Sequence, residues 1–138
     1  MKNKKSLSVV VILAGLMLLG LQGCSKYPDN EEITLVSRTE RVSNVWKVDN
    51  YKVNDVDYTS LVTEYSQTFT KEGAFSFQWG IIGGNGTWAF QNQDKEILIT
   101  GLNNLTTKTL FIQKLEEKQF WYYYVEGGDK YEFHLIQK

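Results

Sequence analysis

Few side chains in this 138-residue chain are equipped for covalent or metal chemistry. Cys24 is the only cysteine and His134 the only histidine. A nucleophilic triad built on imidazole would have to pass through His134, and a zinc site of the usual composition needs several thiol or imidazole ligands, so neither can be assembled here. The carboxylate pairs Glu31-Glu32 and Glu116-Glu117 fall in segments of linker or turn composition. Nothing in their spacing sets two acids across a cleft, as glycoside hydrolysis requires. Gly80-Ile-Ile-Gly-Gly-Asn-Gly86 is glycine-rich but lacks the strand-to-helix setting of a phosphate loop. The expectation is a protein that is not an enzyme and carries no cofactor and no metal. What the chain does have is aromatic surface, with 4 Trp, 8 Tyr and 7 Phe, whose chemistry is packing, stacking and ligand recognition.

Cys24 has a distinctive setting. Lys2, Lys4 and Lys5 precede an apolar run from Leu7 to Leu21 that ends at Gln22-Gly23-Cys24. Positive start, short apolar core and small-residue stop are the parts of a secretory signal peptide. The run is shorter than the ~20 apolar residues a transmembrane helix needs. Leu21-Gln22-Gly23-Cys24 resembles the lipobox of bacterial lipoproteins. The resemblance implies that residues 1–23 are removed and that Cys24 is lipidated, anchoring the chain in a membrane through two or more acyl chains. Ser25 after the cysteine is similar to the outer-membrane sorting choice of Gram-negative lipoproteins. The cluster Asp29, Glu31 and Glu32 is similar to export tags of surface-exposed ones, and equally reads as a solvated linker. The expected location is the outer membrane, on its periplasmic or its outer side.

Loss of those three lysines leaves 15 less 3 basic residues against 16 acidic ones, a net charge of −4. The remaining lysines are scattered among acids, so nucleic acid is not an expected partner. With one cysteine the chain has no internal disulfide and must hold by core packing. Residues 24–41, with Pro28 and several acids, read as the lipidated cysteine and a flexible tether; residues 42–138 are one domain's worth of chain.

From Val45 onward, apolar residues recur at period two between short breaks rich in Gly, Asn, Asp and Lys, which predicts strands joined by hairpins. Eight are expected: Asn44–Val53, Tyr65–Thr70, Ala74–Trp79, Gly86–Gln91, Glu96–Thr100, Thr107–Leu115, Gln119–Glu126 and Lys130–Gln137. Thr59 to Glu64 is a short helical turn or an irregular crossover. Six of the seven connections are too short for a parallel crossover, so the strands form an antiparallel meander. Closing it into an eight-stranded up-and-down barrel removes its bare edges.

Trp46 opening the first strand, Phe69-Thr-Lys-Glu-Gly-Ala-Phe75, Gly86-Thr-Trp-Ala-Phe90, Ile97 with Ile99, and the run Ile112 to Leu115 together resemble the lipocalin-like lipoproteins of Gram-negative bacteria. The resemblance covers about Val45 to Lys138. It implies a lipocalin-like all-β barrel that binds a small hydrophobic or amphipathic molecule at one open end.

Which aromatics face inward depends on the last hairpin. A Gly127-Gly128 loop of two residues sets Glu126 opposite Asp129, whereas a three-residue loop sets Glu126 opposite Lys130. Like charges directly opposed are unfavourable, which selects the three-residue loop. The inward set then includes Trp46, Val48, Phe69, Phe75, Phe77, Trp79, Trp88, Phe90, Ile97, Ile99, Leu110, Ile112, Trp121, Tyr123, Val125, Tyr131, Phe133 and Leu135. Trp79, Trp88, Trp121, Tyr123 and Tyr131 become the walls of an apolar ligand pocket, or else are core. Phe111, Phe120, Tyr122, Tyr124, His134 and Ile136 then point outward. Phe111, Tyr122, Tyr124 and His134 in particular form a candidate surface for an envelope protein or glycan, unless the loop parity exchanges the two faces.

Overall fold

The computed structural model describes residues 35–102 and 106–138, and these are all-β apart from two short turns of helix. Cys24 and residues 1–23, expected as a leader, lie outside the described residues. The elements are α1 (Arg38–Val42), β1 (Val45–Val53), β2 (Val56–Asp57), a 3-10 turn (Thr59–Leu61), β3 (Tyr65–Phe69), β4 (Ala74–Trp79), β5 (Ile82–Gln91), β6 (Glu96–Leu102), β7 (Thr106–Leu115), β8 (Gln119–Glu126) and β9 (Asp129–Gln137).

Each strand from β3 to β9 pairs antiparallel with the next, and β1 pairs with both β3 and β9, which closes an eight-stranded barrel. The two-residue β2 is an addition that pairs with β1 at Lys52 and Val53. One edge of β1 is therefore shared: β3 takes Val45 to Lys47, and β2 takes the far end. Ala74–Trp79 and Gln119–Glu126 match the expected strands residue for residue. β5 is longer than expected. The glycines read as a wide loop are paired strand, and the turn is only Gly80 and Ile81, with Gly80 at φ +57°. Gly86 is required there, because a Cβ on it would collide with the carbonyl oxygen of Thr100 on β6.

The lumen is packed with apolar side chains. Trp46, Phe69, Phe75, Ile97, Ile99, Leu110, Phe120, Tyr122, Phe133 and Leu135 are all buried in one cluster. Phe69 stands at its centre, meeting Phe75, Trp88 and Phe120 edge-on with ring centroids 4.9 to 5.8 Å apart. Edge-to-face pairs of this kind add ~0.5–1.5 kcal/mol each beyond the area they bury.

One end of the barrel is closed by α1, which forms inside the stretch expected to be tether. Ser37 and Glu40 make a capping box, each side chain bonding the other's backbone N–H. Val42 is fully buried, and its carbonyl accepts the indole N–H of Trp46 at 2.9 Å. Arg38 donates to the Asp94 carbonyl at 2.7 Å, Arg41 to the Leu115 carbonyl at 2.9 Å, and Lys71 pairs with Glu40 at 3.1 Å. These contacts tie α1 to the β5–β6 turn, the end of β7 and the β3–β4 turn. The opposite end carries the β1–β2, β4–β5 and β8–β9 turns and the 3-10 turn, which bonds to β1 through Thr59 and is followed by the buried Val62; among the described residues no α-helix lies there.

Candidate functional site

The phase of β8 decides what each aromatic can do. Glu126 stands opposite Asp129, so the β8–β9 loop is the two-residue Gly127-Gly128 and not the three-residue loop expected. Its φ values of +62° and +91° fit the hairpin turn whose twist matches the strands. The like charges find other partners: Lys108 lies 3.3 Å from Glu126, and Asn54 donates to Asp129 at 2.8 Å. Two exposed carboxylates relieved in this way cost little, whereas slipping the register by one would expose Phe120 and Tyr122.

This exchanges the two faces of β8. Trp121 and Tyr123, expected to line a pocket, point outward; Tyr122 and Tyr124, expected to form the outer surface, point inward. Phe120 is likewise buried and Val125 exposed. Tyr131 does face the lumen, packed on Tyr124 with centroids 4.9 Å apart. Trp88 is buried nearer the closed end, where its indole donates to the Thr70 carbonyl at 2.9 Å. Trp79 sits at the end of β4 on the open rim, 43% exposed. The five expected wall residues are thus not gathered around one cavity.

What gathers at the open end instead is a set of phenols. Tyr51, Tyr65, Tyr122, Tyr124 and Tyr131 pack around Phe133 and Phe77. Beneath them lies Gln67, only 4% exposed and paired with Trp46 and Phe77 on its neighbouring strands. Its Nε2 donates to the Tyr65 hydroxyl at 2.8 Å and to the Tyr122 hydroxyl at 2.6 Å. Its Oε1 is buried without a partner. A buried acceptor left unmade costs ~1–3 kcal/mol, so this atom is a place where a donor would be taken up. Burial pushes the Tyr65 phenol up to about 12 and that of Tyr122 well above its ordinary value of 10; burial also raises Tyr124 and, less deeply, Tyr51. The mouth is therefore neutral in this region, with hydroxyls available as donors or acceptors. Lys108 stands at its edge, 3.9 Å over the Tyr124 ring and paired with Glu126.

Sequence reasoning missed Gln67 because a single polar residue in a strand reads as solvent-facing. The signal that could have found it is phase: Gln67 alternates in step with Phe69.

The outer face of β7 to β9 is aromatic, as expected, but with Trp121 and Tyr123 beside Phe111 and His134. Trp121 stacks on His134 from the β9 side while the Lys114 ammonium lies 4.6 Å over its ring from the β7 side. Tyr123 stacks on Phe111 with centroids 5.0 Å apart, and the Lys130 ammonium lies 5.1 Å over it. Glu132 joins the two rows through Lys130 at 2.8 Å and His134 at 3.0 Å. His134 and Lys114 thus lie on the two faces of Trp121, and Phe111 and Lys130 on those of Tyr123. Among the described residues no three His, Cys, Asp or Glu side chains converge as metal ligands.

No protein family and no curated protein matches this chain.

Proposed function

We propose that this protein is a non-catalytic, lipid-anchored barrel of the bacterial envelope, held in the outer membrane through Cys24, whose open end takes a small amphipathic molecule. The observation that carries the reading is the difference between the two ends. α1 plugs one, and the other is a neutral, tyrosine-lined mouth over a buried amide with one unpartnered atom. A ligand suited to it has a compact apolar or aromatic body to lie against Tyr51, Tyr124 and Tyr131, and one N–H or O–H to donate to Gln67. The lumen is filled by its own buried side chains, so a ligand would be small and held at the mouth.

Native mass spectrometry of the chain purified from its own envelope tests both halves. The anchor reading expects loss of residues 1–23 and added mass that survives denaturing extraction. The ligand reading expects a further mass that extraction removes and that Gln67→Leu abolishes. A chain that is acylated but otherwise bare would leave the anchor standing and sink the ligand.

A further inference from the structure

Of the nine large apolar side chains exposed among the described residues, seven lie at the open end, the others being Leu35 and Val45. Val56, Tyr58 and Leu61 come from the β2 segment, Trp79, Ile81 and Ile82 from the β4–β5 turn, and Val125 from the end of β8. Ile81, at the tip of its turn, is fully exposed and touches the core nowhere. None of these seven belongs to the buried cluster or the residues packed against it. They are placed around the rim by three separate chain segments, and each leaves a large part of an apolar side chain in solvent without joining the buried cluster.

We infer that this rim is a membrane-contacting surface, which lays Trp79, Ile81, Ile82 and Leu61 into the interface of a zwitterionic lipid surface with the barrel mouth facing it. Three features favour lipid as the occupant. Aliphatic tips beside a tryptophan and a tyrosine are the composition of a membrane interface, where amphipathic rings sit at headgroup level. Apolar tips spread around a ring suit a fluid surface that closes around each one, whereas a protein partner needs a continuous complementary patch. Charge selects the kind of lipid: Asp55, Asp57, Glu64, Glu126 and Asp129 lie in or next to the same turns and outnumber Lys52, Lys108 and Lys130, so an anionic surface is repelled.

The length of chain preceding the barrel permits this orientation. Ten residues separate Cys24 from Leu35, and the eleven steps between the two reach up to ~36 Å at full extension. Strands of nine or ten residues tilted in a barrel make a wall roughly 25 Å high. A chain anchored at Cys24 and joined to the closed end can therefore span the barrel's height and still let the open rim meet the same bilayer. That orientation rests on the Cys24 reading, while the contact itself does not, and neither requires that the mouth hold a ligand.

The test uses the full chain on phosphatidylcholine vesicles with brominated acyl chains. Flotation reports attachment through the N-terminal part. The difference in emission between the wild type and Trp79→Phe reports Trp79 alone, free of Trp46, Trp88 and Trp121. The expected result is strong quenching of Trp79, reduced roughly tenfold or more in Ile81→Asp/Ile82→Asp with flotation unchanged, and weakened when anionic lipid is added. Ile81→Asp alone, at a side chain fully exposed and outside the buried cluster, serves as a second variant. In it quenching should also fall with the fold intact by circular dichroism, and unchanged quenching would count against the rim contact. A chain that floats with Trp79 unquenched overturns the rim contact and leaves the anchor standing. Quenching that persists in the double variant also overturns it. Quenching without stable flotation supports the rim and removes the anchor; neither signal removes both.

Discussion

Trp121 on β8 and His134 on β9 stand directly opposite each other and stack, with ring centroids 4.2 Å apart and planes within 10°. With Lys114 on the other face, they make a three-layer sandwich on the outside of the barrel. The pairing also locks Tyr122 inward, so neighbouring residues of one strand should differ sharply in their effect on stability. Trp121→Ala removes a half-exposed cross-strand contact and is expected to cost ~1 kcal/mol, a drop in Tm of about 4–8 °C. Tyr122→Ala empties a fully buried site and should cost ~3–5 kcal/mol. Urea denaturation of the two variants gives both values, and equal losses would show the faces of β8 to be assigned wrongly.

The buried phenols predict an alkaline limit to stability. Tyr65 holds its proton up to about 12, and Tyr122 and Tyr124 are raised by the same burial. In the unfolded chain these groups ionise near ~10, so above that pH the unfolded state binds fewer protons than the native one. Their contribution is complete below pH ~10 and is lost as pH rises toward and through the native values. Ultraviolet titration of tyrosinate should show a late, cooperative class coincident with loss of near-ultraviolet circular dichroism, and Tyr122→Phe should reduce that class.

Glu132 sets a limit on the acid side. The hydrogen bond from Lys130 holds its carboxyl below the ordinary carboxylate range, with Gln113 and His134 adding to the effect against the cost of burial. A lowered native value gives stability that is present above the unfolded value and lost as pH falls through the native one. In Glu132→Gln the slope of stability against pH between about 5 and 3 should flatten. Chemical denaturation at stepped pH measures it.

Asn54 fastens the end of β1 to the last hairpin. Its backbone N–H donates to the Lys130 carbonyl, its Oδ1 accepts the Lys130 N–H at 2.9 Å, and its Nδ2 reaches Asp129 at 2.8 Å. Asn54→Ala removes both side-chain bonds and leaves Asp129 facing Glu126 unrelieved, for an expected loss of ~1–2 kcal/mol. Hydrogen exchange should quicken at Lys130, and at Gln119 far along the same pair it should not change.

Gly86→Ala tests the close approach of β5 to β6. The new methyl group would meet the Thr100 carbonyl, which is backbone and cannot turn aside, so a loss of ~1–3 kcal/mol is expected. Thermal denaturation reads the loss, and an unchanged Tm would refute the close approach.

The barrel was legible because period-two patterning survives in most strands, and short turns forbid parallel pairing. The phase of β8 was not, because Phe120 to Val125 is apolar or aromatic at every position and carries no alternation. Its phase then hangs on one turn, where charge repulsion between Glu126 and Asp129 points to a three-residue loop and the twist of a two-residue Gly-Gly hairpin, which prevails, points the other way. β5 was hidden for the opposite reason, since its glycines lower strand propensity while serving close strand contact. α1 is only five residues long and follows an acidic, linker-like stretch, so its one local signal, Ser37 with Glu40 three residues on, does not stand out from the tether composition. At the mouth, only Tyr131 is placed on the inward face by the pattern; Tyr122 and Tyr124 go outward with the wrong phase of β8, and Tyr51, Tyr65 and Gln67 carry no signal that gathers them.

Closure of the barrel through β1 and β9 has a kinetic consequence. Neighbours from β3 to β9 are brought together by connections of a few residues, so their hairpins are local and inexpensive to form. β1 and β9 lie at opposite ends of the domain, and joining them carries the loop entropy of nearly the whole chain. The seam between Trp46 and Gln137 should therefore be the last to form in refolding, with the preceding strands already collapsed. Until it forms, both edges of the meander are open to pairing with another copy, and aggregation during refolding should be governed by this one step.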